Sequence, residues 1–508
     1  MAATAMSGRE GFDARVDLGD IQGLVRFGFK HQTEAAFLLL QVKDVRAARA
    51  WLSSADVTSA ITCKQTPRTV LQIALTSAGL RALDVPVDII DGFSEEFIEG
   101  MAGDDNRARR LGDVGANDRK KWDWGNAERT PHVALFLYAL PGELEEFRRA
   151  IEQQIEPGFA LLSPPFVTSA VDENEPFGFR DGISQPTLDW GRKRAAHDET
   201  RLHYDNLSCL GEYLLGYPNE YGRYTPRPLL SLSRDPENRL PRAEECPDYA
   251  DLGRNGSYLV FRQLHQDIAL FWKTVDRYAG GKPADRDMLA AAMVGRTRTG
   301  EPLVPLLTPP DSVAPSAAAE DLNTFNFDSD PRGTRCPLGA HIRRANPRNA
   351  DFPAGTNSIV SKLIRTLGFD SQARQDDLVA STRFHRLLRR GREYGPAVSI
   401  EQALAPGATS TPTGLHFICL NASILRQFEF VQGAWLMSTK FNGMRDESDP
   451  LLGNRVRDFA GNPTDRFLMA QPDDPTCVLA GLPQFITVRG GAYFFLPGIR
   501  ALRYLATC

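Results

Sequence analysis

Histidine and cysteine are scarce in this chain, at eight and seven of 508 residues. The cysteines, Cys63, Cys209, Cys246, Cys336, Cys419, Cys477 and Cys508, are scattered and form no Cys-x-x-Cys pair. That excludes a cysteine-built zinc site and a disulfide framework, and predicts reduced thiols. Also missing are His-Glu-x-x-His, the Walker A run, Gly-x-Gly-x-x-Gly and Gly-x-Ser-x-Gly. Zincin, P-loop, dinucleotide-fold and serine-hydrolase chemistry therefore have no motif to rest on. No run approaches the roughly 20 apolar residues of a membrane span. Residues 1–15 hold no apolar core and no twin arginine, so no export signal is expected and the expected location is the cytoplasm. Charge of neither sign is in excess: 59 Lys and Arg stand against 64 Asp and Glu, a net −5. Nucleic acid is not the expected partner, because phosphate binding needs a basic excess or stripe. The local cluster Arg386, Arg389, Arg390 and Arg392 suits a small anionic group better than a polymer.

What is present reads as a large soluble chain, 42% hydrophobic and 24% charged, with room for more than one domain. Residues 24–29 alternate like a strand, 36–42, 69–75 and 132–139 read as buried strands, and 45–53, 77–83, 93–102 and 141–155 as helices. Residues 190–255, rich in Pro, Gly, Arg and Asp, read as a long connection. A second set follows: strands at 256–262 and 414–420, helices at 268–279, 285–294, 358–368 and 424–437, and a loop over 305–320. A late hairpin is predicted from 485–488 and 492–496 around Arg489-Gly490-Gly491. Strands and helices mixed without regular βαβ alternation predict α+β architecture in two similar halves.

Two short runs carry the chemistry. One is Gly178-Phe179-Arg180-Asp181-Gly182, continuing Ile183-Ser184-Gln185-Pro186. As residues alone, a carboxylate between glycines is a tight turn as readily as an acid/base site. The other run is Cys336-Pro337-Leu338-Gly339-Ala340-His341, followed by Ile342-Arg343-Arg344-Ala345-Asn346-Pro347-Arg348. It offers one imidazole, a usual axial ligand of haem iron, with cations close behind. A third run, His385-Arg386-Leu387-Leu388-Arg389-Arg390-Gly391-Arg392-Glu393-Tyr394-Gly395, is a basic loop or a source of one fixed cation.

Together these runs resemble the dye-decolorising peroxidase family, in its longer-chain branch. Asp20-Ile21-Gln22-Gly23, the run from Gly211 to Tyr217 and the run from Asn255 to Trp272 extend the likeness from about residue 18 to the C-terminus. The resemblance implies two ferredoxin-like domains whose antiparallel sheets pack together, as in a dimeric α+β barrel, with haem in the C-terminal half. The expected division is a flexible lead over 1–17, a first domain over 18–190, a connection over 191–254 and a second domain over 255–508.

For the site, the resemblance implies His341 as the proximal ligand, with Asn346 as a haem contact and Arg348 against a haem propionate. It implies Asp181 as the distal acid and base, with Gly182, Ile183 and Ser184 touching haem. Arg389, with Arg390 as the neighbouring alternative, would stabilise charge on the peroxide. Leu415 and Phe417 would form the apolar distal wall, and Glu429, or another Asp or Glu of the second half, would hydrogen-bond the proximal imidazole. The cofactor implied is one haem b per chain, held non-covalently because no Cys-x-x-Cys-His is present. The implied substrates are hydrogen peroxide and small aromatic donors such as dyes and phenols. Trp435 and Tyr394 are expected as surface relays for bulky dyes, and residues 350–384 as an insertion over the haem edge. The alternative is a haem-binding protein for storage, delivery or iron release, which would need His341 and Arg348 but no distal acid. Nothing in the chain sets its oligomeric state.

Overall fold

The apolar runs of the first half pair into one antiparallel sheet. The computed structural model describes residues 16–168, 174–193, 205–307, 321–349, 381–458, 460–472 and 476–508. Strands β1 (Glu34–Val42), β2 (Thr69–Leu75), β3 (Val133–Ala139), β4 (Phe159–Leu161) and β5 (Phe166–Val167) lie in the order β2-β3-β1-β4, with β5 also on β1. Leu38 faces Leu135 across β1 and β3, and Ile73 faces the same residue from β2. The second half builds β6 (Ser257–Gln266), β7 (Leu388–Arg389), β8 (Arg392–Tyr394), β9 (Gly414–Asn421) and β10 (Ile486–Leu496). Here β9 and β10 flank β6, and β7 and β8 pair with β9. A single residue pair, Phe495 with Leu75, joins the two sheets at their edges.

Side-chain alternation along the strands separates two cores. Phe37, Phe136, Phe261, Ile418 and Phe494 share one cluster drawn from both sheets. Phe37 meets Phe261 edge-on at 5.8 Å, so the sheets pack through this aromatic layer. The alternate residues, among them Leu38, Leu135, Val260 and Tyr493, face the other way beneath helices. Those helices include α1 (Val45–Ser54), α2 (Asp105–Leu111), α3 (Leu144–Ile155), α4 (Ile268–Tyr278) and α5 (Pro283–Val294). The architecture is α+β, as the mixed pattern predicts.

The late hairpin is not there. Residues Ile486–Leu496 form one continuous strand against β6, and Arg489 is the extra residue of a bulge between the pairs Gln263–Gly490 and Leu264–Val488. Gly490 and Gly491 serve close approach instead of a turn. A Cβ on Gly490 would stand 2.5 Å from Trp124 Nε1, and one on Gly491 would stand 2.6 Å from Met101 Sδ.

The predicted long connection carries short paired strands, such as Leu229–Ser231 against Tyr249–Asp251. The helix predicted over 424–437 is wound as two π-helical stretches, Ile424–Glu429 and Val431–Leu436. The lead over 1–15, the greater part of the loop over 305–320, the helix over 358–368 and residues 350–380 of the predicted insertion lie outside the described residues. Among the described residues, no helix is long and apolar enough to cross a membrane.

Candidate active site

The helix-covered face of the second sheet opens into a cavity of about 260 Å³. His341 enters it from the first residue of a one-turn helix, α6 (His341–Ala345). The two arginines behind it fasten that turn to buried backbone. Arg343 donates to the Cys336 carbonyl at 2.8 Å and to Asp330 Oδ2 at 3.1 Å. Arg344 donates to the carbonyls of Trp435 at 2.9 Å and Glu447 at 2.6 Å. The ring itself is aimed by Asp449, whose Oδ2 lies 3.0 Å from His341 Nδ1. Asp449 is fully buried, and its Oδ1 accepts from the amides of Leu451 at 2.9 Å and Leu452 at 2.8 Å. Burial opposes charge on the imidazole, but the Asp449 carboxylate outweighs it and holds His341 above its usual value. With Nδ1 engaged, Nε2 is the ring nitrogen left for a ligand.

Asp181 lines the same cavity. Arg389 Nη1 donates to Asp181 Oδ1 at 2.9 Å, although 208 residues separate them. Gln185 brings them together. Its Nε2 donates to the Arg389 carbonyl at 3.2 Å, while its Oε1 accepts from the Arg389 amide at 3.1 Å. Strand alternation in β7 sends the next side chain the other way, where Arg390 donates to the carbonyls of Leu24 at 2.7 Å and Val25 at 3.0 Å. Burial alone would raise the Asp181 carboxyl. Arg389, the Gly182 amide and the charge of His341 instead hold it below the usual carboxylate range.

Nine of the residues named from the sequence line this one cavity: Asp181, Ile183, Ser184, His341, Asn346, Arg348, Arg389, Leu415 and Phe417. Gly182 does not. It holds φ at +78° and gives its N–H to Asp181. Arg348 is buried, stacked 3.7 Å over Phe325, with its Nη atoms bonded to the Asn323 and Phe325 carbonyls and to Asn323 Oδ1. A second imidazole, His385, also lines the wall. It lies flat on Phe430 at 3.6 Å, donates through Nδ1 to the Arg426 carbonyl, and is pushed down to about 4 by burial, so it is neutral.

No family model matches the chain. Curated relatives match over nearly all of it. A dye-decolorising peroxidase of Mycetinis scorodonius is 27% identical, over 96% of this chain and 88% of that protein. The multifunctional dye peroxidase of an Amycolatopsis strain is 26% identical, over 94% and 91%. Among solved structures, a decolorising peroxidase of Auricularia auricula-judae is 25% identical with a TM-score of 0.70, over 97% of this chain and all of that one. Over nearly its whole length the chain is similar to dye-decolorising peroxidases, in sequence and in fold.

Dye-decolorising peroxidases are haem enzymes that act on peroxide, and the donor set here suits a metal already held in a macrocycle. One imidazole is too little for a bare ion, which takes about four ligands. Among the described residues, no group of three or more His, Cys, Asp or Glu could hold one. Leu415, Phe417, Phe428, Ile342 and Val431 supply the apolar walls a porphyrin needs.

Two sequence expectations fail. Glu429 is not the partner of the imidazole: it is fully buried and accepts from Arg107 Nε at 2.8 Å, Arg110 Nη1 at 2.5 Å and Tyr493 Oη at 3.0 Å. Asp449 takes that place, and its neighbours Ser448 and Pro450 carry no local sign of it. Trp435 is not a surface residue, being 5% exposed and packed edge-on to His385 and Phe430. Tyr394 is half-buried, stacked on His416, with its hydroxyl donating to the Leu264 carbonyl at 3.1 Å.

Proposed function

We propose that the chain binds one haem b non-covalently and uses hydrogen peroxide to oxidise dyes, phenols and similar one-electron donors. The Asp181–Arg389 pair carries this reading, because it lines the same cavity as His341, whose ring Asp449 aims. When bound, haem supplies an iron that takes peroxide and stores its oxidising equivalents for the donor.

His341 Nε2 would hold the haem iron. Asp449 keeps the proton on Nδ1 and makes the ring a stronger donor. Ile183, Leu415 and Phe417 would exclude water from the reacting face, while Arg348 and Arg296, which also lines the cavity, would supply positive charge for the haem carboxylates. Asp181, ionised beside Arg389, would take a proton from one peroxide oxygen and return it to the other as that oxygen departs. Arg389 offsets negative charge as the O–O bond lengthens. A haem carrier would need His341 and Asp449 but not this second pair.

Haemin titration of the purified chain tests the reading. A Soret band is expected, and peroxide should shift it within seconds. In His341→Ala most of the band should be lost. A chain that stays colourless with haemin, or a band unmoved by peroxide, would overturn it.

A further inference from the structure

The loop that aims Asp181 is held by a second carboxylate. Glu175 Oε2 accepts from the Phe177 amide at 3.1 Å and from Gln266 Nε2 at 2.9 Å, and Oε1 accepts from the Phe179 amide at 3.1 Å. Main-chain bonds close the same loop: Glu175 N–H donates to the Phe179 carbonyl at 2.9 Å, and Gly178 N–H to the Glu175 carbonyl at 2.7 Å. Both Glu175 and Gln266 line the cavity together with Asp181. A polar turn residue alone would explain the loop in a solvated segment, but here Glu175 is half-buried in the cavity wall, where a charge costs more than in open water.

Gln266 shows what the site can accommodate. Its Oε1 is buried without a hydrogen-bond partner. In the present arrangement its Nε2 donates to an ionised Glu175. Turned over, the same carboxamide would accept the O–H of a protonated Glu175 through that oxygen. The pair therefore fits either charge state of Glu175 without moving the backbone.

We propose that Glu175 is a positioning residue for Asp181, changing between an ionised and a protonated form against Gln266 and so setting how tightly Asp181 holds a proton. The proposal rests on the reading of Asp181 as the acid and base of the peroxide reaction. Burial pushes Glu175 up to about 7, and the charge of Asp181 adds to it. The titratable groups that feel Glu175 from other elements are Glu393 of β8, itself pushed up to about 7 by burial, and His341 of α6. Arg389 of β7 reaches the loop through Asp181, and Gln266 of β6 is neutral. Below about 7 Glu175 is neutral and Asp181 answers mainly to Arg389. Above it, the added negative charge makes Asp181 a stronger base.

The test is the pH profile of cyanide binding to the haem-loaded chain, read from the Soret shift in stopped flow. The wild type should show a rise in rate through neutral pH, as a stronger base at Asp181 implies. Glu175→Gln should lose that rise while still binding cyanide, and Asp181→Asn should lose it with Glu175 intact. A rate lowered uniformly in Glu175→Gln, with the rise retained, would mean a merely structural role and overturn the proposal. A rise that survives in Asp181→Asn would do the same. A second readout needs no haem. Hydrogen exchange at the Phe177 and Phe179 amides of the full chain should slow, relative to intrinsic exchange, as pH rises through about 7 in the wild type only. If haemin does not bind at all, the proposed function fails, and the exchange profile still decides whether Glu175 changes state.

Discussion

His341 Nδ1 lies 3.0 Å from Oδ2 of Asp449, a carboxylate with no solvent exposure that two backbone amides also hold. The imidazole is thus fixed in orientation and tautomer before any ligand arrives. In Asp449→Asn the amide nitrogen would face Nδ1 and favour the other tautomer, putting a hydrogen where the lone pair is needed. Haemin affinity should fall about 10- to 100-fold, and the reduction potential of what still binds should rise. Haemin titration and spectroelectrochemistry check this. Unchanged values would remove Asp449 from the site's chemistry.

Asp181 and Arg389 should be separable by kinetics. Asp181→Asn should keep haem but slow the peroxide-dependent Soret shift by roughly 10²- to 10⁴-fold. Arg389→Leu removes both the guanidinium and the main force that depresses Asp181, so burial should push that carboxyl up. Its rate profile should therefore move to higher pH as well as fall. A stopped-flow series across pH distinguishes the two, and an Arg389→Leu profile centred where the wild type has it would contradict the assigned pairing.

Glu429 should matter for stability and not for haem. It is fully buried between Arg107, Arg110 and Tyr493, and so ties α2 of the first half to the π-helical stretch of the second. Breaking such a buried ionic cluster costs about 3–5 kcal/mol. Denaturant unfolding of Glu429→Gln should show a loss of that order with haemin affinity intact. A large loss of affinity with normal stability would restore Glu429 to the proximal site.

Glu447 sets a pH dependence. It is fully buried, its Oε1 has no hydrogen-bond partner, and burial pushes it up to about 7 from an ordinary 4.5. With the folded value above the unfolded one, the folded form binds more protons between them. The stability contributed is present below about 4.5 and is lost as pH rises through about 7. Glu447→Gln should flatten that decline. Thermal unfolding measured across this range gives the slope directly, and a slope equal to the wild type's would show that other groups carry it.

How much was legible can be argued from particular residues. His341, Asp181 and Arg389 could each be named because single short runs carry them, and all three line one cavity. Arg390 was an equal neighbour in the run, and only the alternation of β7 turns it towards Leu24 and away from the cavity. Asp449 was out of reach because its role depends on a contact across 108 residues of chain. The hairpin was misread because Arg489-Gly490-Gly491 has turn composition, whereas Trp124 and Met101, far away in sequence, need those glycines bare.

Composition and local pattern by themselves determined the α+β class, many of the strand and helix positions (though not 24–29, where a 3₁₀ turn over Gly23–Val25 stands in place of a strand) and the residue types of the chemistry, since these rest on short-range periodicity and on what each side chain can do. The tertiary structure alone decided which carboxylate backs the imidazole, which arginine meets Asp181, and that Glu175 and Gln266 stand beside them. The reason is physical: a hydrogen bond or ion pair in a dry cavity depends on distances of a few ångströms between residues hundreds of positions apart, and no local pattern encodes such distances.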